Sequence, residues 1–127
     1  MKQIITTINT PTAVGPYSQA TKFENLIFTA GQIPIDPKTN QVVEANIADQ
    51  TKQTLENLKN LIEAAGSSLA CVLKTTVFLT DLANFNEMNK VYSKYFTENY
   101  PARSTIQVSR LPKDVLVEIE AVAYFSK

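Results

Sequence analysis

The sequence predicts an α/β (α+β) fold in which two helices cover one face of a mixed sheet of about six strands. Residues 46–65, and a second stretch from 84 to about 98, repeat apolar residues at helical spacing. Short β-rich runs bounded by turn residues fill most of the remaining chain. The length of 127 residues, without a linker or an internal repeat, predicts a single domain spanning residues 1–127.

The composition excludes several classes of function. Lys plus Arg equals Asp plus Glu at 12 each, so the net charge is zero, which argues against a nucleic-acid-binding protein with a broad basic surface. The chain has no histidine, which excludes a histidine base and most transition-metal sites. The single cysteine, Cys71, excludes an internal disulfide. Without a membrane-length apolar run or a signal peptide, we expect a cytoplasmic protein.

Six runs of β-forming residues predict the strands, and they lie at residues 2–7, 18–23, 26–32, 72–80, 102–108 and 115–125. Asn46 can serve as the N-cap of the first helix, and Gly66 stands where a left-handed C-cap glycine belongs. This helix links the third predicted strand to the fourth, so the three elements form a β-α-β crossover. Pro101 ends any continuation of the second helix.

The last two predicted strands carry charged residues, and alternation gives each strand two faces. On the first of them we expect Ile106 and its alternate neighbours to face the core, with Arg103 and Thr105 on the opposite side. On the second, one face is wholly apolar, and Glu118 and Glu120 lie on the other. The pattern predicts that the arginine, the threonine and both glutamates share the uncovered side of the sheet.

The charged residues of this face have two interpretations each. The guanidinium of Arg103 could bind a ligand carboxylate through two parallel hydrogen bonds, or it could form a structural ion pair with Glu118 or Glu120. One glutamate could orient or activate water, since a carboxylate is the obvious base in a chain without histidine. Alternatively, both glutamates pair with cations of a neighbouring copy. The residues alone do not decide between these interpretations.

Four other positions are candidates for a ligand site. Tyr17 could offer a phenol at the rim of a cleft or act as a buried anchor. Gly31 marks either a close approach to the backbone or a plain strand-to-loop transition. Asn89 could reach a ligand or face solvent. Thr105 could donate its hydroxyl to a ligand, or stand there only for its β-propensity.

Assembly with further copies of the chain is also expected. Two helices cover one face of the sheet, and the other face keeps apolar residues such as Leu116 and Val122 beside its charges. A partly apolar, uncovered sheet face predicts an oligomer. The charges would then lie in or beside a subunit interface, where a cleft is a natural ligand site.

Six segments, in this order and spacing, carry a resemblance to a known family. They read GPYSQ at 15–19, TAGQIP at 29–34, EAAG at 63–66, KTTVF at 74–78, PARS at 101–104, and RLPKD at 110–114 followed by VEIEA at 117–121. On these segments the chain resembles the RidA/YjgF family of reactive-intermediate (imine/enamine) deaminases, and the resemblance covers nearly the whole chain.

The resemblance implies a chorismate-mutase-like fold, assembled as a homotrimer with a ligand cleft at each subunit interface. It implies neither a metal nor an organic cofactor. The family reaction is hydrolysis of 2-imino acids, such as 2-iminobutanoate and 2-iminopropanoate, to 2-keto acids and ammonia. These imines come from enamines that pyridoxal-phosphate dehydratases release from serine or threonine.

By the same resemblance, Arg103 binds the substrate carboxylate and Glu118 orients the attacking water. Tyr17, Gly31 and Asn89 match positions that line the cleft.

Two positions depart from the family pattern, and two other functions remain open. Thr105 stands where the family often has cysteine, and Ala30 where it often has serine, so contacts from these side chains are weaker candidates.

The first alternative function is a non-catalytic regulatory or chaperone-like trimer that binds keto acids through the same arginine. The second is an endoribonuclease or translation inhibitor, a role attached to some family members, which the absence of histidine and of basic excess does not favour.

Overall fold

A six-stranded mixed sheet with two α-helices on one face forms the body of the protein, in a computed structural model that describes residues 1–126. The elements are β1 Gln3–Ile5, β2 Ala20–Phe23, β3 Leu26–Thr29, β4 Ile35–Asp36, β5 Gln41–Val42, α1 Ile47–Ala64, β6 Val72–Leu79, α2 Phe85–Tyr95, β7 Ala102–Gln107 and β8 Val117–Tyr124. The strand order in the sheet is β1-β2-β3-β8-β6-β7, and β4 and β5 form a separate two-stranded ladder. The predicted fold class is confirmed.

The sheet pairs antiparallel throughout except between β6 and β7, which run parallel. Strand β8 pairs with both β3 and β6, so it lies between the two strands that α1 connects. The predicted β-α-β crossover is therefore present, with the last strand of the chain inserted into it. This insertion places β8 at the centre of the sheet and leaves β7 at an edge.

Local sequence signals account for the ends of the helices. The Asn46 side chain accepts a hydrogen bond from the Asp49 backbone N–H at 2.8 Å, which caps α1 as predicted. Gly66 adopts a φ of 92°, the left-handed conformation expected after the C-terminal end of α1. Helix α2 ends three residues earlier than predicted, at Tyr95, because Phe96 turns out of the helix and buries its ring in the core.

The core lies between the two helices and one face of the sheet. Its fully buried members include Leu55, Leu58 and Ile62 of α1 and Val117 and Ile119 of β8. Within residues 1–126, no helix is long and apolar enough to cross a membrane.

The opposite face of the sheet, called the open face below, carries large exposed apolar side chains. Ile4, Phe23, Phe28, Ile106 and Tyr124 are each more than 40% exposed. Neither helix packs on this face, as the sequence predicted. A contiguous apolar surface of this kind is typical of an interface between subunits.

The prediction for the faces of β7 is wrong. Arg103 pairs with Thr75, which pairs with Ala121, and both partners are buried on the helix side. Ile106 pairs with Phe78 opposite Glu118, so this isoleucine lies on the open face. At an edge strand both faces are only partly buried, so apolar content does not indicate which one faces the core. Arg103 and Thr105 are therefore on the opposite side of the sheet from the glutamates.

Candidate functional site

A pocket of about 290 Å³ surrounds the side chain of Arg103 on the helix side of the sheet. We call it the arginine pocket, and its lining residues are Asn89, Tyr92, Ser93, Tyr100, Pro101 and Arg103. Helix α2 supplies the first three, while the segment leading into β7 supplies the others. Strand β7 begins directly after Pro101, so the edge strand starts at the pocket.

The guanidinium of Arg103 lies over two aromatic rings and forms no ion pair within residues 1–126. Its central carbon lies 4.7 Å from the ring centroid of Tyr92 and 5.5 Å from that of Phe85. In the part of the chain that the structure describes, the only ion pair joins Arg110 to Asp114. The alternative interpretation, an ion pair between Arg103 and a glutamate of the same chain, is therefore excluded within residues 1–126. The arginine N–H donors remain available to a ligand.

The hydroxyl of Tyr92 forms a hydrogen bond with a second buried polar residue, Thr75. Its hydroxyl lies 2.7 Å from the Thr75 hydroxyl, and both side chains are buried. Burial raises the pKa of Tyr92, and the Thr75 hydroxyl and the Arg103 charge oppose that rise. The ring of Phe96 packs against the same tyrosine at a centroid distance of 4.6 Å.

A second pocket, of about 490 Å³, contains Glu118. We call it the glutamate pocket; Tyr17, Ala30, Gly31, Ile33, Lys113 and Glu118 are among its lining residues. Burial raises the pKa of the Glu118 carboxyl, and the neighbouring charge of Glu120 raises it further. A carboxyl with a raised pKa is a stronger base once ionised, which suits it to take a proton from water.

Gly31 is required by the position of Glu118. A Cβ built on Gly31 would lie 2.7 Å from Glu118 Cδ and would collide with the carboxylate. Paired hydrogen bonds between the backbones of Gln32 and Ile119, at 2.8 and 3.0 Å, fix this approach. Of the two interpretations of Gly31, the close approach is the one that the structure shows.

Gly31→Ala should reduce activity without unfolding the protein. The added methyl group meets the far end of a flexible side chain, so the Glu118 carboxylate moves and the backbone stays. We expect a loss of about 10²-fold in turnover, the cost of misplacing a catalytic group by about 1 Å. The melting temperature should change little. An active Gly31→Ala protein would show that the carboxylate position is unimportant.

The loop that carries Tyr17 is fastened by the buried side chain of Gln19. Its Oε1 accepts from the Thr7 backbone N–H at 2.7 Å, and its Nε2 donates to the Pro11 carbonyl at 2.8 Å. The Thr10 hydroxyl donates to the Asn57 carbonyl of α1 at 2.8 Å. Tyr17 itself is 53% exposed, so it stands at the pocket rim and is not a buried anchor in the single chain.

A turn with unusual backbone geometry places Lys113 at the glutamate pocket. Lys113 and Asp114 both have φ of 57°, a left-handed conformation that is uncommon for non-glycine residues. Arg110 Nε donates to Asp114 at 2.6 Å across the turn. Strain of this kind is often found at functional sites. The sequence showed the turn but gave no signal for its strain.

The candidate residues thus divide between two pockets. Arg103 and Asn89 lie in the arginine pocket, and Tyr17, Gly31 and Glu118 lie in the glutamate pocket.

Two further candidates line neither pocket. Thr105 has a buried hydroxyl with no hydrogen-bond partner among residues 1–126. Glu120 is exposed on the open face.

Sequence reasoning missed Tyr92, whose helical spacing indicated only a core position. Arg103 and Glu118 lie on opposite faces of the sheet, so one chain does not bring their side chains together.

Comparisons with known proteins cover almost the whole chain. The family model described as Endoribonuclease L-PSP matches residues 7–125. A RutC family protein of Pyrococcus horikoshii is 59% identical over 98% of this chain and 98% of its own. A protein of Escherichia coli named 2-iminobutanoate/2-iminopropanoate deaminase is 48% identical over 97% of this chain and 98% of its own. The crystal structure of E. coli TdcF with bound serine has a TM-score of 0.93 and 46% identity, covering 98% of this chain and 99% of that one.

Proposed function

Since this chain belongs to the RidA/YjgF family, whose model is described as Endoribonuclease L-PSP, we propose that it is a deaminase that hydrolyses 2-imino acids to 2-keto acids and ammonia. The substrates proposed are 2-iminobutanoate and 2-iminopropanoate, the compounds in the name of the E. coli relative. The observation that carries the proposal is the guanidinium of Arg103, which lines a pocket and forms no ion pair in the described chain.

Arg103 would bind the carboxylate of the imino acid. A guanidinium presents parallel N–H donors in the geometry of a carboxylate, and no ion pair within residues 1–126 occupies them. Serine, the ligand in the TdcF structure, is also a small acid with nitrogen at carbon 2. A ligand of this size is compatible with a pocket of about 290 Å³.

Glu118 would place and activate the water. The protonated imine carbon is already electrophilic, so the water oxygen adds to it as Glu118 accepts a water proton. The resulting carbinolamine carries hydroxyl and amine on one carbon. Return of that proton to nitrogen lets the C–N bond break while the hydroxyl gives its proton to Glu118 and becomes the carbonyl, which yields the 2-keto acid and ammonia. The proton then held by Glu118 passes to the departing ammonia. No covalent bond to the protein is needed, so positioning and proton transfer carry the reaction.

We further propose that the reacting site forms between two copies of the chain. Arg103 and Glu118 face opposite sides of one sheet, and a substrate of about four carbons reaches both only if a neighbouring copy supplies the second pocket. The exposed apolar open face supports such an assembly. The proposed assembly is a homotrimer, in which each interface joins one arginine pocket to one glutamate pocket.

A coupled assay tests this proposal. A threonine dehydratase generates 2-iminobutanoate in the presence of semicarbazide, which traps it. Added protein should suppress the semicarbazide adduct and speed formation of 2-oxobutanoate. Binding of 2-oxobutanoate without any suppression would instead favour a regulatory keto-acid-binding protein. Cleavage of RNA by the purified protein, lost on substitution of Arg103 or Glu118, would favour an endoribonuclease.

Mixing two inactive variants tests the shared site. Arg103→Ala and Glu118→Gln chains, unfolded and refolded together, should regain about one quarter of wild-type activity in the same assay. Each intact site needs an arginine from one variant and a glutamate from the other, which random assembly supplies in about a quarter of interfaces. Each variant refolded alone is the control. No recovery in mixed trimers verified by native mass spectrometry would place both residues in the same chain's site.

A further inference from the structure

One side of the arginine pocket is formed by Tyr92, which has no part in the reaction described above. The ring of Tyr92 lies under the Arg103 guanidinium at 4.7 Å, and this tyrosine is only 6% exposed. Its hydroxyl meets the Thr75 hydroxyl at 2.7 Å, and Phe96 packs against its ring at 4.6 Å. The hydrogen bond thus holds the hydroxyl end of the ring, and the Phe96 ring packs against it at an interplanar angle of 33°, while Arg103 lies over it.

We propose that Tyr92, held by Thr75, is a positioning residue that fixes the orientation in which Arg103 meets the substrate carboxylate. This inference rests on the proposed function, because it assigns the purpose of the stacking to carboxylate binding. Tyr92 acts through Arg103 and takes no part in the proton transfers.

Stacking orients the arginine in a way that an ion pair would not. Arg103 has a long, flexible side chain, and two parallel hydrogen bonds to a carboxylate require a defined plane for the guanidinium. A protein carboxylate would set that plane but would also occupy the donors. An aromatic ring contacts only the flat face and leaves the N–H groups at the edge free. Among the described residues Arg103 forms no ion pair, and its head group lies over the rings of Tyr92 and Phe85.

The buried hydroxyl pair supports the same conclusion. Thr75 is fully buried on β6, and it pairs directly with Arg103 of β7 in the sheet register. Valine and phenylalanine at positions 75 and 92 would fill the same space without burying two polar groups. The hydrogen bond instead ties the tyrosine ring to the strand next to the arginine. The height and tilt of the ring under the guanidinium are therefore set by the sheet itself.

The test compares substitutions of Tyr92 with identical substitutions of Tyr95. Tyr95 lies on the same helix, but its hydroxyl donates to Glu56 of α1 at 2.7 Å, and it does not line the arginine pocket. Tyr92→Leu removes the ring, while Tyr92→Phe and Thr75→Val remove only the hydrogen bond. Two readouts are needed. One is the affinity for 2-oxobutanoate by calorimetry, together with kcat and KM in the coupled assay. The other is the nitrogen-bound side-chain proton signal of Arg103, identified by its loss in Arg103→Lys.

Tyr92→Leu should weaken 2-oxobutanoate binding about tenfold, the loss expected for one desolvated cation–π contact. Tyr92→Phe and Thr75→Val should each weaken it about two- to threefold, and the double variant no further, because both remove the same bond. These two conservative variants decide the outcome if Tyr92→Leu does not fold. Tyr95→Leu and Tyr95→Phe should leave affinity unchanged.

The Arg103 proton signal separates this inference from the proposed function. The ring current of Tyr92 should shift that signal upfield in the wild type, and Tyr92→Leu should reduce the shift to the part that Phe85 contributes, while Tyr95→Leu preserves it. Equal effects of the Tyr92 and Tyr95 substitutions on affinity, or a signal indifferent to Tyr92→Leu, would overturn the inference. If the wild type neither hydrolyses the imine nor binds the keto acid, the proposed function fails, and the carboxylate-positioning role fails with it even where the signal moves.

Discussion

Replacing Arg103 with alanine should abolish imine hydrolysis and keto-acid binding. Hydrogen bonds to a charged partner contribute ~1.5–3 kcal/mol each, so losing two should lower kcat/KM by a factor of about 10²–10⁴. The side chain has no ion pair within residues 1–126, so its removal breaks no internal network. The melting temperature and the oligomeric state should therefore stay close to those of the wild type. The measurement is the rate of semicarbazide-adduct suppression beside a thermal melt.

Two further variants sharpen the arginine experiment. Lys94→Ala removes the same charge from an exposed position of α2 and should leave activity unchanged. Arg103→Lys keeps the charge but loses the paired donors, so we expect an intermediate activity. Full activity of Arg103→Ala would contradict the deaminase proposal. A similar loss in Lys94→Ala would indicate a general electrostatic effect in place of a specific carboxylate contact.

Glu118→Gln should abolish turnover but retain keto-acid binding. The amide fills the same space next to Gly31 and cannot accept the water proton. Loss of a general base costs about 10²–10⁴-fold in kcat. Calorimetry with 2-oxobutanoate should give an affinity near that of the wild type, since Arg103 belongs to a different pocket. Loss of binding and turnover together would instead assign Glu118 to ligand binding.

Glu120→Gln provides a matched control with its own pH signature. Glu120 lies two residues along the same strand face, is exposed and lines neither pocket. Turnover should fall as the pH drops through the raised pKa of Glu118, because only the ionised carboxylate is a base. Since the Glu120 charge contributes to that rise, Glu120→Gln should move the acid limb to lower pH. An unshifted limb would show that Glu118 does not control it.

The local elements could be predicted from the sequence because their signals are local. The cap residue Asn46, the glycine Gly66 and the apolar spacing between them set α1, and the six strands follow from β-forming runs between turns. Residue type offered Arg103 as a possible carboxylate ligand and either glutamate as a possible base, and the family resemblance singled out Glu118. The contribution of Tyr92 could not be predicted. An aromatic residue in an apolar helical stripe indicates a core position, and this signal is the same with or without an arginine over the ring.

By itself, the sequence determined the class of fold, the order of its elements and the residue types available for chemistry. Only the tertiary structure decided which side of the sheet each charged residue occupies. Alternation shows that Arg103 and Ile106 point in opposite directions, but the pairing of β7 with β6 determines which of them faces the helices. That pairing joins residues far apart in sequence. It separates Arg103 from Glu118, and this separation is the physical reason for proposing a site shared between two copies.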